Sequence, residues 1–444
     1  MIRLTISKSN ADLLASSLLG GETEQCAVLY ASRAELSNDG MRLLVREIEF
    51  PGAETYSKQS RISAELNPAF VAKVSKKARI RGESLVFVHS HPGDEPPEFS
   101  SVDDEGEQLL AGFLSIRTPG TPHGAVVISA GGWCGRQLGT RQPMSIIALG
   151  EQRRVLFHST GDCELQSAIF DRQIRAFGEA GQRAISSLTV AIIGLGGTGS
   201  VMAEQLSHLG VRKFVLVDPD ELDVTNLNRV VGAYSRDVGR PKVDVAAVHI
   251  STVSPGSRIK SIRGDVTRTR VAKELIATDF IFSCTDSHGS RAVIQQIAYQ
   301  YMIPCIDVGS VLTAAQGQVT GIHGRVQALG PDLPCLSCSG LIDAEEVRRD
   351  MMNDAERQSD PYIQGHREPA PSVISINSTV TSLAVTMFMA IVVGVPSEGR
   401  YVLYNAKQPS LRSVRASRNP NCYICSPSGV LARGDAQMLF TRDE

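Results

Sequence analysis

The hydrophobic positions of this chain change period several times, and the changes divide it into two parts. Residues 10–19 carry the caps and leucines of a short helix, while Cys26–Tyr30 and Arg42–Phe50 read as strands. Lys73–Ile80 has helical spacing and precedes the apolar strand Leu85–Val88, which runs straight into His89. From about Trp133 to Ser167 the pattern weakens into mixed polar sequence, which predicts the end of one domain and a connector. A second domain starts near Ile169. There Thr189–Ile193 is a short β-branched strand, a Gly-rich turn follows, Gly199–Leu209 is a helix stopped by Gly210, and Lys213–Asp218 is the next strand. Strand and helix signals continue through Asp279–Phe282 and Ile303–Ile306, predicting a mostly parallel, doubly wound sheet. Gln316–Ile322 and Tyr401–Leu411 read as antiparallel additions, and the polar stretch Asp343–Pro371 as a mobile surface loop.

With 444 residues, 42% of them hydrophobic, the chain has material for more than one core. The expected organisation is α/β throughout: a first domain over 1–145, a linker over 146–165, a second domain over 166–432 and a tail over 433–444. A formal charge of −2 and the absence of a basic run argue against a nucleic-acid partner. The longest apolar run, Leu383–Val395, falls short of the ~20 residues needed to cross a bilayer and reads as a buried helix. The N-terminal residues contain no continuous apolar stretch, so the expectation is a cytoplasmic protein without a membrane partner. Nine cysteines are present, four of them as Cys335-x-x-Cys338 and Cys422-x-x-Cys425. Without an export signal this spacing favours a closed tetrathiolate Zn²⁺ site over disulfides, with a redox role as the alternative.

Two stretches carry chemistry. His89 and His91 are two apart on a strand, so they share a face, and a helix beginning near Ser100 would bring Asp103 back to them. Two imidazoles and one carboxylate leave a fourth position of a tetrahedral Zn²⁺ open for water. The structural alternative is a plain Ser-x-x-Asp capping box beside a His-x-His without metal. Taken in order, the residues resemble the JAMM (MPN-type) metalloprotease family, whose pattern is an upstream Glu, then His-x-His-Pro, then Ser-x-x-Asp; here the gap from His91 to Ser100 is one residue longer than its commonest spacing. The resemblance covers about residues 1–145. It implies Glu24, ahead of the strand at Cys26, as general base in preference to Glu22 or Glu35, and Ser100 as a hydrogen-bond donor to a tetrahedral oxyanion.

The second stretch is Gly194-x-Gly196-Gly197-x-Gly199, whose backbone N–H groups can approach a phosphate at a helix N-terminus, with Asp218 placed for ribose hydroxyls. A dehydrogenase would show as much. Asn226, Asn228, Arg229 and Lys242 follow, however, and supply amide and cationic donors for a triphosphate that hydride transfer does not need. With Phe170–Gly178 upstream and Ser283–Asp286 downstream, the pattern resembles the ubiquitin-activating-enzyme family, in particular its ThiF/MoeB-type members, over about residues 165–430. The resemblance implies that Arg229 and Lys242 bind the ATP phosphates, Asn226 contacts the nucleotide, Asp218 the ribose, and Asp286 holds Mg²⁺. It makes Arg172 an arginine finger supplied by the other subunit of a homodimer, against the alternative of a solvated helix residue, and assigns a structural zinc to the four paired cysteines. No cysteine lies between Cys338 and Cys422, where thioester-forming members commonly hold their nucleophile, which favours adenylation alone.

Together the resemblances imply a bifunctional enzyme acting on a ubiquitin-like β-grasp protein ending in Gly-Gly. One domain would cleave after that terminus and the other adenylate it, for transfer to a separate conjugating enzyme or sulfur donor. The alternative is sulfur-carrier activation for biosynthesis, with the N-terminal domain releasing product from the carrier. A third possibility is an N-terminal binding module without catalysis.

Overall fold

The computed structural model describes residues 2–37, 40–158, 168–315, 318–353, 356 and 371–443. The chain forms two compact units, one of residues 1–161 with 300–302 and 427–438, the other of 162–299, 303–426 and 439–444.

The first unit is built in the order β1 (Ile2–Ser7), α1 (Lys8–Leu18), β2 (Cys26–Glu35), β3 (Met41–Glu49), β4 (Tyr56–Gln59), β5 (Ala64–Leu66), α2 (Pro68–Arg81), β6 (Ser84–Ser90), α3 (Ser101–Arg117), β7 (Gly124–Ser129), β8 (Gly132–Gln137), β9 (Ser145–Leu149) and β10 (Arg153–Phe157). Eight strands form one mixed sheet in the order β10-β9-β1-β3-β2-β6-β7-β8. Both faces of its centre are covered, so β2 is apolar without alternation from Cys26 to Ala31. Ala27, Leu29 and Ala31 pack with Leu14 and Leu18 of α1. Val28 and Tyr30 face the other way, onto Phe70 and Val74 of α2 and Leu114 of α3. Helix α2 begins earlier than its apolar spacing suggests because Asn67 caps it and Pro68 occupies its first turn; Gly82 in the left-handed region ends it.

The domain boundary expected at 145 moves. β9 pairs in parallel with β1, from Arg3 opposite Ser145 to Ser7 opposite Leu149, and β10 folds back on β9. Residues 145–157 therefore belong to the sheet, and the remainder of the expected linker, 159–165, lies outside the described residues. The expected tail is also divided: residues 433–438 join the first unit and 439–444 the second. Asp435 accepts the Glu35 backbone N–H at 2.8 Å, and Gly434, at φ +51°, lies so close to Arg33 that an added Cβ would stand 2.1 Å from its carbonyl oxygen.

The second unit runs α4 (Asp171–Ser187), β11 (Thr189–Ile193), α5 (Gly197–Leu209), β12 (Lys213–Asp218), α6 (Lys242–Val253), β13 (Arg258–Arg263), α7 (Thr269–Glu274), β14 (Phe280–Ser283), α8 (His288–Gln300), β15 (Cys305–Ala315), β16 (Gln318–Leu329), α9 (Ala344–Met351), α10 (Ile374–Val393), β17 (Tyr401–Asn405) and β18 (Ser410–Ser413). Its sheet has the order β13-β12-β11-β14-β15-β16-β17-β18, parallel through β15 and antiparallel beyond. The strand order reverses between β11 and β14, creating a crevice at their carboxyl ends. Helix α10 is longer than the apolar run at 383–395 suggests, and its 20 residues are apolar enough to suit a membrane span. Instead Val380, Ala384, Phe388 and Ile391 pack into the core of this unit against Phe280, Phe282 and Leu206. The loop expected over 343–371 contains α9, capped by Asp343, while 354–355 and 357–370 lie outside the described residues.

Candidate functional sites

Strand pairing assembles the first site. β2 and β6 run antiparallel with Cys26 opposite His89. The same register continues beyond the ladder, where the Ser90 N–H donates to the Gln25 carbonyl at 2.9 Å and the Ser90 hydroxyl accepts the Gln25 N–H at 3.0 Å. Ser90 thus holds the backbone that carries Glu24, while His89 and His91 project to the opposite face. There the two Nε2 atoms lie 3.2 Å apart, and Asp103 places one carboxylate oxygen 3.0 Å from His89 and the other 3.7 Å from His91. Ligands at about 2.05 Å around a tetrahedral zinc would be separated by roughly 3.3 Å, so the donor set and spacing fit that ion. Glu24, buried, stands 3.8 Å from His91 Nε2. Glu22 is exposed, and Glu35 sits at the far end of β2.

Burial raises the Glu24 carboxyl above the usual range, although His89 opposes that effect. Burial and the neighbouring His89 lower the His91 imidazole, which favours its neutral, ligating form. Asp103 is held well below the usual carboxylate range: hydrogen bonds from His89 and Ser100 overcome its own desolvation. The Cys26 thiol, near Glu24 and buried, is pushed up to about 12 by desolvation and then by that carboxylate. A cleft of about 520 Å³ opens beside Glu24, His89 and Asp103, with apolar walls that include Leu66, Val71, Phe87, Leu110 and Phe113. The Ser100 hydroxyl donates to Asp103 at 2.8 Å and accepts the Asp103 N–H at 3.2 Å, a complete capping box that orients the Asp103 carboxylate.

The four paired cysteines also converge. Cys335 and Cys422 Sγ lie 3.6 Å apart, as do those of Cys338 and Cys425, far beyond a disulfide bond length. All four sulfurs lie within 4.8 Å of one another. Zinc bonded to sulfur at about 2.3 Å requires S–S edges of roughly 3.8 Å. Backbone N–H groups of Cys338, Asn419 and Ile424 point at three of the sulfurs, each at 3.4 Å, as thiolates require. The residues fit a structural Zn²⁺.

At the carboxyl edge of the parallel strands the Gly-rich turn leads from β11 into α5. Gly194 has φ +86°, and a Cβ there would stand 2.7 Å from the Cys284 carbonyl; at Gly199 it would meet Gly194 O at 1.8 Å. Around Gly196 that space is open, so a ligand can approach the turn there. Asp218, at the end of β12, is nearly buried and accepts the N–H groups of Leu195 at 2.6 Å and Asp220 at 2.9 Å. Burial raises its carboxyl, with Lys242 opposing. In this structure it braces the Gly-rich turn. Arg229 lies over Gly197, with its Cδ 3.4 Å from the position of a Cβ there. Lys242, in the first turn of α6, pairs with Asp220 at 2.7 Å. Asn226 accepts the Asp223 N–H through its side-chain oxygen, so that oxygen is engaged within its own turn. Asp286 is exposed just beyond β14, and Arg172 is exposed in the first turn of α4.

The sequence profile of the ThiF family matches residues 170–424, more than half of the chain. The chain belongs to the ThiF family. It is similar to the molybdopterin-synthase adenylyltransferase of Escherichia coli K12, 26% identical over 58% of this chain and 95% of that protein. The SAMP-activating enzyme E1 of Haloferax volcanii is 24% identical over 57% and 86%. The sulfur carrier protein adenylyltransferase of Thermus thermophilus is 26% identical over 56% and 86%.

The ThiF unit brings one residue to its Gly-rich turn that sequence reasoning missed. Asn377, buried in the first third of α10, reaches Gly197 so closely that a Cβ there would stand 2.2 Å from its amide nitrogen. Its side chain is held by Ser310 and Ser372, each at 3.0 Å. The available signal was the one amide in a helix whose other residues are apolar or carry hydroxyls, since a buried amide is costly without partners.

Proposed function

We propose that the ThiF unit adenylates the C-terminal carboxylate of a ubiquitin-like or sulfur-carrier protein. The observation that carries this reading is the meeting of an open Gly-rich turn at the start of α5 with the Arg229 side chain, on the edge that also bears Asp218, Lys242 and Asp286. The named activities of the relatives support the same chemistry. A carboxylate oxygen attacks the α-phosphorus of ATP, the bond to the β-phosphate oxygen breaks, and pyrophosphate leaves an acyl-adenylate. Backbone N–H groups of the turn, Arg229 and Lys242 offset charge where anion meets anion. Asp286 would hold Mg²⁺, and Arg172 would reach the nucleotide of a second copy in a homodimer. A cytoplasmic location is part of this proposal, since the reaction consumes ATP. Carrier-dependent ATP–pyrophosphate exchange tests the assignment: Asp286→Ala is expected to lower it by at least ~100-fold, and exchange unchanged in that variant removes Asp286 from the site.

For the first unit we propose zinc-dependent hydrolysis of the amide that follows such a C-terminus. Zinc held by His89, His91 and Asp103 would supply Lewis acidity and lower the pKa of water. The Glu24 carboxylate would accept a proton from the attacking water and return it to the departing amine as the C–N bond breaks. Ser100 keeps Asp103 in place, and the apolar cleft excludes bulk water. The products are the freed carboxylate and an amine, so hydrolysis would deliver the group that the ThiF unit activates. The two relatives named for molybdopterin synthase and for a sulfur carrier favour a second reading, in which the carrier delivers sulfur and the first unit releases a product built on it. Accumulation of a carrier thiocarboxylate would support that reading, and conjugates on many proteins the first.

A further inference from the structure

The three side chains of the His/Asp cluster come from the end of β6, from His91 just beyond it and from α3, and residues 91–100 between the two elements form neither helix nor strand. That segment is tied to the β7–β8 turn, where the Gly93 carbonyl accepts the Ala130 N–H at 3.1 Å and the Glu95 carbonyl the Ser129 hydroxyl at 2.6 Å, but neither bond touches α3. Strand register supplies an anchor. Phe87 pairs with Ala125 and Ala125 with Arg136, so Arg136 on β8 lies on the same face of the sheet as Phe87 and His89. Its guanidinium grips the first two turns of α3: Nε lies 3.0 and 3.1 Å from the two Glu107 oxygens, and Nη2 lies 2.7 Å from Asp104. The same group stacks on Phe99, 3.7 Å above the ring centre, and Phe99 meets the His89 ring edge-on at 6.3 Å. Glu107 is one helical turn from Asp103, on the same side of α3. A single largely buried cation therefore touches the helix that carries one ligand and the aromatic ring that backs another.

We propose that Arg136 is the positioning residue of this centre, setting the distance between Asp103 and the histidine pair. The inference rests on reading the His89/His91/Asp103 cluster as a metal site. A lysine cannot replace it fully, because the planar fork makes the Glu107 and Asp104 contacts while its face covers Phe99. Outer partners that orient ligands in this way typically change metal affinity by about 10- to 100-fold when removed.

The test uses the full-length, metal-free protein titrated with Co²⁺. Thiolate-to-cobalt charge-transfer bands mark the four-cysteine site, and the His/Asp site lacks them. Arg136→Ala is expected to weaken Co²⁺ binding at the His/Asp site by about 10- to 100-fold, with the thiolate site unaffected and Arg136→Lys in between. Wild-type affinity at the His/Asp site in folded Arg136→Ala overturns the positioning role while leaving the metal site standing. Absence of His/Asp binding in the wild type overturns the metal reading itself. Should Arg136→Ala fail to fold, Phe99→Leu, which removes only the stacked ring, carries the same expectation in direction, and unchanged affinity there counts against the proposal.

Discussion

Among the described residues, two clusters have metal-ligand geometry, and they are made of opposite materials. In the first unit, two histidines and one aspartate stand beside a cleft of about 520 Å³, with a second carboxylate, Glu24, 3.8 Å from the His91 Nε2. In the ThiF unit, four cysteines close on one another, and backbone N–H groups take up the outward-facing charge of three sulfurs. Three ligands with room beside them suit chemistry, whereas four thiolates saturate a tetrahedral ion and leave it only a structural task. The surroundings follow the same division. The open cluster needs outside support, from Ser100 and from the Arg136 contacts to α3, because its ligands come from separate elements. The closed cluster draws on two Cys-x-x-Cys turns, each of which preorganises two ligands.

That contrast can be broken experimentally, and the largest effect is expected at the closed site. Cys335→Ser should cost several kcal/mol of stability, since structural zinc contributes directly to folding. Thermal unfolding together with zinc content would show it; a variant that keeps its melting temperature after losing one zinc would mean the cluster is not structural. At the open site the effect should appear in rate instead. Glu24→Gln is expected to retain metal and fold while slowing amide hydrolysis by about 10²- to 10⁴-fold, measured on a carrier with a C-terminal extension. Undiminished cleavage would remove Glu24 as the base.

A smaller difference concerns pH. His123, buried in the first unit, accepts the Leu85 N–H through Nδ1 at 3.0 Å and therefore donates from Nε2 to Thr118, 2.8 Å away. Burial depresses its pKa to about 4, against roughly 6.5 in the unfolded chain. Between these values the unfolded chain binds a proton that the folded one refuses. The stabilisation is complete above about pH 6.5 and declines as pH falls through about 4, by roughly 3 kcal/mol in total. Trp133, the one tryptophan in the sequence, lies on β8 of this unit, so its fluorescence during urea unfolding reports the relevant transition. His123→Asn should flatten the decline over that window; an unchanged slope would assign it to other groups.

Much of the ThiF unit was legible in the sequence because its information is local. The β-branched run at Thr189–Ile193, the glycines after it and the strand at Lys213–Asp218 each announce themselves within a few residues, and the strands occur with those bounds. The His-x-His pair on a strand end and the capping signal at Ser100 are likewise short-range. Local reading fails where a segment is weak alone and completed by a distant partner. Residues 145–157 looked like a connector because their pattern is mixed, yet β1, far earlier in the chain, supplies the hydrogen bonds that make them strands. At Ser100 the residue type suits both a helix cap and an oxyanion donor, and the position of Asp103 supplies the acceptor that its hydroxyl meets in this structure.

By itself, the sequence determined the α/β class, the two-part organisation, the Gly-rich turn and the residue types available for metal and phosphate, since these depend on side-chain chemistry and on periods of two to four residues. Tertiary structure decided that Glu24 and not Glu22 faces His91, that Asn377 of α10 rests on Gly197, and that residues 433–438 pack with the first unit. Those outcomes depend on which strand pairs with which and in what register. A one-residue change of register would turn Glu24 to the other face of the sheet, and nothing within its own stretch of chain encodes that choice.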